Sequence, residues 1–232
     1  MIRLDKMLSH YGFGTRSQVK KIIRKGRVLV NDEVCQDDDR KINENDLVSV
    51  DGAVITYNTY HYLLLNKPAG YVSSKTDDYY PSVLHLIDEP YVNELFPIGR
   101  LDADTHGLLL LSNDGKLAHN LLAPKKHVEK AYLVKLQKNI NAEFIKNISN
   151  QIIYKDIIYQ SAKIDIIDDK TIIMTISEGK FHQIKLMVES QQNEVIYLKR
   201  IKMGSLSLDE KLDEGEYRSL SKEEIDLLKG GN

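Results

Sequence analysis

The stretch FPIGRLDADTHGLLLLSNDG, residues Phe96 to Gly115, places a polar loop between two apolar runs. The run LLLLS, which starts at Leu108, is typical of a buried strand. The loop in front of it holds four charged or titratable side chains: Arg100, Asp102, Asp104 and His106. The pattern therefore predicts that these side chains lie at the edge of a hydrophobic core.

Segments on both sides of this loop predict further strands and some helices. Strands are expected for YLLLNK (62–67), KAYLVKL (130–136) and EVIYLKRIKM (194–203), and a hairpin for KIDIID and TIIMTISE with its turn at 168–170. Helices are expected for FHQIKLMVESQQ (181–192), for KEEIDLL (222–228), and from about Lys116 to Leu122 between a cap at Asp114 and Pro124. Strands that arrive in runs, with helices between some of them, favour an α+β fold.

The N-terminal segment predicts a small unit of two helices followed by strands. Apolar residues at helical spacing indicate a helix from Leu4 to Tyr11, and the capping-box pair Thr15 and Gln18 starts a second one. RVLVNDEV predicts a hairpin, and LVSVDG an alternating strand. The polar, tyrosine-rich segment from Val54 to His61 marks a boundary, so we expect domains at 1–58 and 59–232.

One face of the second helix is cationic. Its basic residues recur four apart in two rows, at Arg16, Lys20 and Arg24 and at Lys21 and Lys25. Such a row can follow RNA phosphates, although an isolated charged helix face is more often simply solvated. The whole chain has a net charge of -2, so any affinity for nucleic acid must depend on how the charge is distributed.

Composition excludes several functional classes. No apolar run approaches the roughly 20 residues that span a bilayer, and the start MIRLDKMLSH lacks a signal-peptide pattern, so a cytoplasmic protein without membrane attachment is expected. A single cysteine, Cys35, rules out a disulfide framework and a cysteine-based zinc site, and the histidines show no ligand spacing, so no metal is expected. Neither a nucleotide-binding loop nor a Gly-x-Ser-x-Gly elbow is present, which leaves carboxylate chemistry. By itself, Asp102 is more readily explained as a turn residue.

Motifs along the chain carry two family resemblances. RLDKML, GFGTRSQVKKIIRKGRVLVN and DLVSVDG resemble the RNA-binding fold first described in ribosomal protein S-four. GRLDADTHGLLLLSNDG, with LNKPAGYVSS before it and EKAYLVKL, EGKFHQIKLM and IKMGSLSLDEKLDEGEYRSLSKEEI after it, resembles the RsuA-like, small-subunit type of rRNA pseudouridine synthase. The resemblance implies a small N-terminal α/β RNA-binding domain followed by a catalytic domain built on a mixed, largely antiparallel sheet with flanking helices.

The second resemblance also implies a reaction and a set of site residues. Family members break the glycosidic bond of a uridine in RNA, turn the base and rejoin it through ring carbon five, without a cofactor. Asp102 matches the essential aspartate, which either attacks the sugar or base or removes a sugar proton; both routes stay open. Lys185 matches its basic partner and Tyr132 the tyrosine that stacks on uracil. Local reasoning alone would instead pair Lys185 with Glu189 and place Tyr132 in the core.

Further expectations concern RNA contacts, partners and alternative functions. Arg100 is placed to hold a phosphate or help base flipping, and Lys67 to line the same cleft unless it is simply solvated. Asp104 and His106 are assigned no chemistry, and His182 and Gln183 either pack or touch RNA. The expected partner is 16S rRNA in a partly assembled small ribosomal subunit, bound by a monomer. The alternatives are the same reaction on large-subunit rRNA and a non-catalytic assembly factor.

Overall fold

The structure, a computed structural model, describes residues 1–55, 58–123 and 126–230. Thr56 and Tyr57 of the predicted boundary segment, and Pro124, predicted to limit a helix, lie outside these ranges. Contacts between residues divide the chain into two units, one of 1–61 with 88–94 and one of 62–87 with 95–232. The placement of 88–94 in the first unit has no counterpart in the sequence-based expectation.

Two helices in the first unit follow the predicted pattern. They are α1 (Leu4–His10) and α2 (Arg16–Arg24). The Thr15 side chain accepts the Gln18 N–H at 3.4 Å, and the Gln18 side chain accepts the Thr15 N–H at 2.8 Å, so the predicted capping box is confirmed. The apolar faces of both helices are buried in one cluster with the strands that follow.

The strands of the first unit are short and join through tight turns. They are β1 (Ile2–Arg3), β2 (Val28–Val30), β3 (Glu33–Val34), β4 (Lys41–Ile42), β5 (Val48–Val50) and β6 (Ala53–Ile55). β1 pairs with β4, and the others form a sheet in the order β3-β2-β5-β6. Asn31 and Asp32 have φ of 56° and 66°, which suits the predicted two-residue hairpin turn. A second such turn at Asp51 and Gly52 leads into β6, which the sequence pattern did not predict.

The second unit contains the remaining helices and most of the strands. Its strands are β7 (Tyr62–Lys67), β8 (Phe96–Ile98), β9 (His106–Ser112), β10 (Lys130–Leu136), β11 (Ile152–Tyr154), β12 (Ile157–Tyr159), β13 (Lys163–Ile166), β14 (Thr171–Ile176), β15 (Val195–Met203), β16 (Leu206–Ser207) and β17 (Tyr217–Ser219). Its helices are α3 (Gly115–Leu122), α4 (Ala142–Ile148), α5 (Gln183–Glu189) and α6 (Lys222–Gly230), and one 3-10 turn spans Val83–Leu86. No helix in the described ranges is long and apolar enough to cross a bilayer.

The main sheet of the second unit has the order β13-β14-β10-β15-β9-β7-β17. Neighbouring strands run antiparallel except β9 and β15, which pair in parallel. β8 also pairs with β9, β16 with β15, and β11 with β12 in a separate hairpin. The predicted α+β class with a mixed, largely antiparallel sheet is therefore confirmed.

The apolar run of β9 is buried on both faces of the sheet. Leu108 and Leu110 lie in a cluster with apolar residues of α3 and α6. Leu109 and Leu111 point to the opposite face, because side chains alternate along a strand, and they are equally inaccessible. Cover on both faces explains why this strand is continuously apolar. The polar loop 99–105 connects β8 to β9, so it leads directly into a buried strand of the sheet.

Candidate active site

Hydrogen bonds to its backbone groups hold the loop between β8 and β9 in place. The Ser73 hydroxyl accepts the Leu101 N–H at 3.0 Å and donates to the Leu101 carbonyl at 3.0 Å. The Gly70 N–H donates to the Ala103 carbonyl at 2.8 Å, and the Thr105 N–H closes a turn on the Asp102 carbonyl at 3.1 Å. The turn that carries Asp102 is therefore fixed from both sides.

Lys67, which was predicted to line the same cleft as Arg100, anchors this loop. Its side chain is fully buried. Its ammonium donates to the carbonyl oxygens of Pro68, Asp102, Ala103 and Thr105 at 2.8–3.2 Å. Burial lowers the pKa of Lys67 to about 8. Through these bonds Lys67 holds the turn that bears Asp102. Its contact with RNA stays a prediction.

Asp102 and Lys185 lie in direct contact, although 83 residues separate them. Nζ of Lys185, in the first turn of α5, donates to Oδ2 of Asp102 at 3.0 Å. The helix partner that local spacing suggests, Glu189, instead accepts from Lys155 at 2.9 Å. The structure thus brings the motif-predicted pair together and leaves the local alternative unused.

Asp104 shares the ammonium of Lys185, which the sequence analysis did not anticipate. Nζ of Lys185 donates to Oδ1 of Asp104 at 2.6 Å. Burial acts to lower the pKa of Lys185, but the hydrogen bonds to Asp104 and Asp102 outweigh it, so the pKa lies above the usual lysine value. Burial likewise acts to raise the pKa of Asp104, and the bond from Lys185 holds it below the usual range. The cation beside Asp102 is therefore charged at neutral pH.

His182 approaches Asp102 from its other side. Its Nε2 lies 3.5 Å from Oδ1 of Asp102. The backbone of His182 is left-handed, with φ of 48°, an uncommon conformation for a residue with a side chain, and α5 starts only after it. This explains why the helix predicted from residue 181 begins at Gln183. Phe181, 77% exposed, stacks on the His182 ring with centroids 3.8 Å apart.

Tyr132 reaches the site through the register of the sheet. Tyr132 on β10 pairs with Arg200 on β15, and Arg200 pairs with Gly107 on β9, two residues beyond the end of the loop. Tyr132 is 7% exposed and lines one cavity together with Asp102 and Lys185. It is thus both a buried residue, as local reasoning suggests, and part of the wall around Asp102, as the motif implies.

Arg100 lies on the rim of this cavity. It is exposed, and the described residues offer its guanidinium no hydrogen bond or ion pair. A planar cation in this state can bind a phosphate in bidentate geometry without first breaking another contact. His106, by contrast, is used within the protein, with Nδ1 3.0 Å from Oε2 of Glu214.

The cationic face of α2 is partly neutralised by acids distant in sequence. Lys20 lies 3.3 Å from Oδ1 of Asp38, and Arg24 2.8 Å from Oδ2 of Asp38. Arg16, Lys21 and Lys25 are exposed, and the described part of the chain shows no ion pair for them. Of the five cations on this face that were predicted to bind RNA, two are therefore paired with Asp38. The other three are available cations, meaning exposed and without an ion pair in the described residues.

Asp38 also belongs to a group of three carboxylates, with Asp5 and Asp39. In the described residues this is the one such group whose spacing could suit a metal ion. Arg3 pairs with Asp5 at 2.9 Å and also with Asp39. The hydrogen bond from Arg3 holds the pKa of Asp5 below its usual value. Arg3 of β1 and the cations of α2 thus already pair with these carboxylates, and their proximity needs no metal to explain it.

The arrangement around Asp102 supplies the elements of carboxylate catalysis. A carboxylate lies between an ammonium and an imidazole, at the wall of a cavity lined by an aromatic ring, on a turn fixed by backbone bonds. Such a carboxylate can act as a nucleophile or as a general base. An exposed arginine at the rim can bind an anionic substrate.

Comparison with known proteins shows similarity along the whole chain. The profile of the RNA pseudouridylate synthase family matches residues 61–190, and that of the S4 domain matches residues 2–48. An uncharacterized RNA pseudouridine synthase of Bacillus subtilis is 41% identical, covering 98% of this chain and 98% of that protein. The ribosomal small subunit pseudouridine synthase A of Pasteurella multocida is 39% identical, covering 97% of this chain and 98% of that protein.

A solved structure described as a pseudouridylate synthase shares the fold. It is 38% identical, its TM-score is 0.70, and the match covers 98% of this chain and 100% of the other. Sequence and fold therefore agree over both units.

Proposed function

The chain belongs to the RNA pseudouridylate synthase family, and from that premise we propose that it converts one uridine of 16S rRNA to pseudouridine. The enzyme is an isomerase that acts on RNA. The assignment of 16S rRNA as the substrate is supported by the full-length similarity to proteins named ribosomal small subunit pseudouridine synthase A. The structural observation that best supports catalysis by Asp102 is its contact with Lys185 at the cavity wall.

In this proposal Asp102 is the essential catalytic residue. The carbon–nitrogen bond to the ribose breaks, the uracil turns, and a bond forms from the same sugar carbon to ring carbon five, whose proton leaves while the freed ring nitrogen gains one. Reactant and product are isomers, so the conversion needs no oxidant, reductant or group donor. Asp102 either forms a transient covalent bond or takes a proton from the sugar, and in both routes the ammonium of Lys185 donates a hydrogen bond to its carboxylate.

The other cavity residues bind and orient the nucleotide. Tyr132 offers a ring on which the extruded uracil can stack, which recovers part of the few kcal/mol lost when a base leaves its helix. Arg100 holds a phosphate at the rim. Lys67 acts indirectly, by fixing the turn that carries Asp102.

We assign residues 1–58 to RNA binding and residues 59–232 to catalysis. The protein acts as a monomer in the cytoplasm, on 16S rRNA in a partly assembled small subunit. The available cations Arg16, Lys21 and Lys25 are the N-terminal phosphate contacts.

Pseudouridine mapping of both ribosomal RNAs tests the proposal. Cells with and without the gene are compared, and the deletion strain receives either the unaltered gene or the Asp102→Asn form. We expect one small-subunit site to disappear on deletion and to return only with the unaltered protein. A lost large-subunit site would redirect the substrate assignment, and no change at any site would favour the assembly-factor alternative.

The Asp102→Asn protein must fold for this test to be decisive. We expect its stability to stay within about 0.5 kcal/mol of the wild type, because the exchange is nearly isosteric and Asp104 still pairs with Lys185. Thermal unfolding of both purified proteins checks this expectation. A large drop in melting temperature with activity retained would contradict the catalytic assignment.

A further inference from the structure

Thr105 carries a buried hydroxyl that the protein does not satisfy. The residue is 2% exposed, and its Oγ1 has no hydrogen-bond partner within the described residues. Its backbone groups are both used, since the N–H donates to the Asp102 carbonyl and the carbonyl accepts from Lys67 at 2.8 Å. Buried hydroxyls are rarely left without a partner, because desolvation without a compensating bond is unfavourable.

The neighbouring hydroxyl of Ser73 shows that the loop can satisfy such groups. Ser73 is also buried, and its Oγ makes two bonds with the backbone of Leu101. The described residues contain three other buried side-chain atoms without a partner: Asn66 Oδ1, Tyr159 Oη and Arg200 Nη2. None of those three residues lines the cavity around Asp102, whereas Thr105 does. The unsatisfied group therefore lies where a substrate is expected.

We propose that the Thr105 hydroxyl is a binding group for the edge of the target uracil. The inference rests on the proposed function and adds a substrate contact to it. A hydroxyl both donates and accepts and can rotate in place. The uracil edge offers carbonyl oxygens and an N–H, and the base must turn between bond breaking and bond formation. A rotating hydroxyl can follow that turn, donating to a carbonyl in one orientation and accepting from the N–H in the other.

The test compares Thr105→Val with Thr105→Ser. Valine keeps the shape and branching of threonine but removes the hydroxyl, so we expect a melting temperature equal to or above that of the wild type. Under single-turnover conditions with a 16S rRNA transcript, we expect kcat/KM to fall about 3- to 10-fold, as for loss of one uncharged hydrogen bond. Thr105→Ser should recover to within about 2-fold, because it restores the hydroxyl.

Ser73→Ala is the matched control, because it removes a hydroxyl that has partners inside the protein. It should lower the melting temperature, since the N–H and carbonyl of Leu101 lose their partner. If Thr105→Val also lowers the melting temperature, the hydroxyl serves the fold and the proposal is wrong. If Thr105→Val leaves both the melting temperature and kcat/KM unchanged, the proposal is equally wrong.

A modified transcript separates the uracil edge from the ribose. With 2′-deoxyuridine at the target position, we expect Thr105→Val to weaken RNA binding by the same factor as with uridine. Loss of that effect would assign the partner to the 2′-hydroxyl and overturn the proposal. A wild-type protein inactive on rRNA would contradict the proposed function itself, and the Thr105 assignment with it. An active wild type with an unaffected valine variant would contradict only the role of Thr105.

Discussion

Asp102 and Asp104 accept hydrogen bonds from the same ammonium, and their exposure separates their roles. The side chain of Asp102 is 30% exposed, and that of Asp104 is 73% exposed. Water screens the outer contact more strongly, so the inner contact between Lys185 and Asp102 contributes more to the electrostatics of the cavity. Asp104 in turn gives Lys185 a second counterion, which is why replacing Asp102 should not leave a buried unpaired charge.

Lys67 should make the stability of the protein depend on pH in the alkaline range. Its folded-state pKa of about 8 lies below the unfolded value of about 10.4. Between these values the unfolded chain binds more protons, so the free energy of unfolding should rise with pH. We therefore expect wild type to gain stability relative to Lys67→Met, by up to about 3 kcal/mol, as pH rises from 8 to 10.5. Denaturant unfolding at fixed pH steps measures this difference.

Lys163→Met is the control for the pH experiment. Lys163 is exposed and pairs with Glu129, which holds its pKa above the usual value. This variant should therefore keep the wild-type rise in stability between pH 8 and pH 10. The same rise in Lys67→Met would mean that Lys67 is not the titrating group. Lys130, which is also buried with a pKa of about 8, would then be the remaining candidate.

Sequence could identify the residues of the site but not most of their contacts. Asp102 and Lys185 were paired only through motifs, because nothing local relates residues 83 positions apart. Lys67 is the last residue of a predicted strand, where a solvated lysine is ordinary. Its burial depends mainly on carbonyl oxygens that the loop contributes from 35 to 38 positions away. Thr105 and His182 gave no local signal, since an unsatisfied hydroxyl and a left-handed backbone are properties of the folded chain.

At the scale of elements, one row of residues across the sheet places the site. Lys67 on β7 pairs with Gly107 on β9, which pairs with Arg200 on β15, which pairs with Tyr132 on β10. The loop anchor and the cavity tyrosine are thus in register on either side of the junction where β9 meets β15 in parallel. The close approach of β9 and β15 therefore determines the distance between Lys67 and Tyr132.

Gly107 is the residue that permits this approach. Its φ is +99°, and a Cβ at this position would lie 2.3 Å from the carbonyl oxygen of Arg200. Gly107→Ala should therefore destabilise the protein by at least about 2 kcal/mol, through the strained backbone and a clash with main-chain atoms. It should also lower activity, because the row that aligns Tyr132 with the loop is displaced. Thermal unfolding and single-turnover rates measure both effects.

Gly115→Ala provides the matched comparison. Gly115 begins α3, its φ is not in the left-handed region, and a Cβ there would meet no atom within 4 Å. Alanine should leave stability unchanged or raise it by up to about 1 kcal/mol, because it restricts the unfolded chain. Similar losses in both variants would contradict the argument from close approach.

Elements with strong local patterns were predictable, and those that depend on pairing were not. The strands β7, β9, β10 and β15 follow apolar runs or alternation, and the capping box predicted α2. Strands of two or three residues, such as β6, β16 and β17, are too short for any periodicity and exist because a partner strand lies beside them. Helix α4 was missed as well, although Asn141 caps it by accepting the Phe144 N–H at 2.7 Å.

For the molecule as a whole, the distribution of charge matters more than its sum. With a net charge of -2, attraction to RNA must come from local clusters of cations. In sequence the helix α2 meets no acid, but the fold brings Asp38 to Lys20 and Arg24. A cation with a carboxylate partner releases fewer counterions when a phosphate approaches. Exposed cations without such a partner should therefore dominate the N-terminal contribution to RNA affinity.

Two double variants that each remove two positive charges separate these classes of cation. Lys21→Gln with Lys25→Gln should reduce the log-log salt slope of RNA binding by about 1.4, at roughly 0.7 per single-strand phosphate contact. Lys20→Gln with Arg24→Gln should change the slope less and lower the melting temperature more, since Asp38, 8% exposed, then loses both counterions. Binding titrations on a 16S rRNA transcript at several salt concentrations, with thermal unfolding of each variant, measure both quantities. Equal slope changes would show that the ion pairs do not shield Lys20 and Arg24, and unchanged slopes in both variants would remove α2 from the RNA contact.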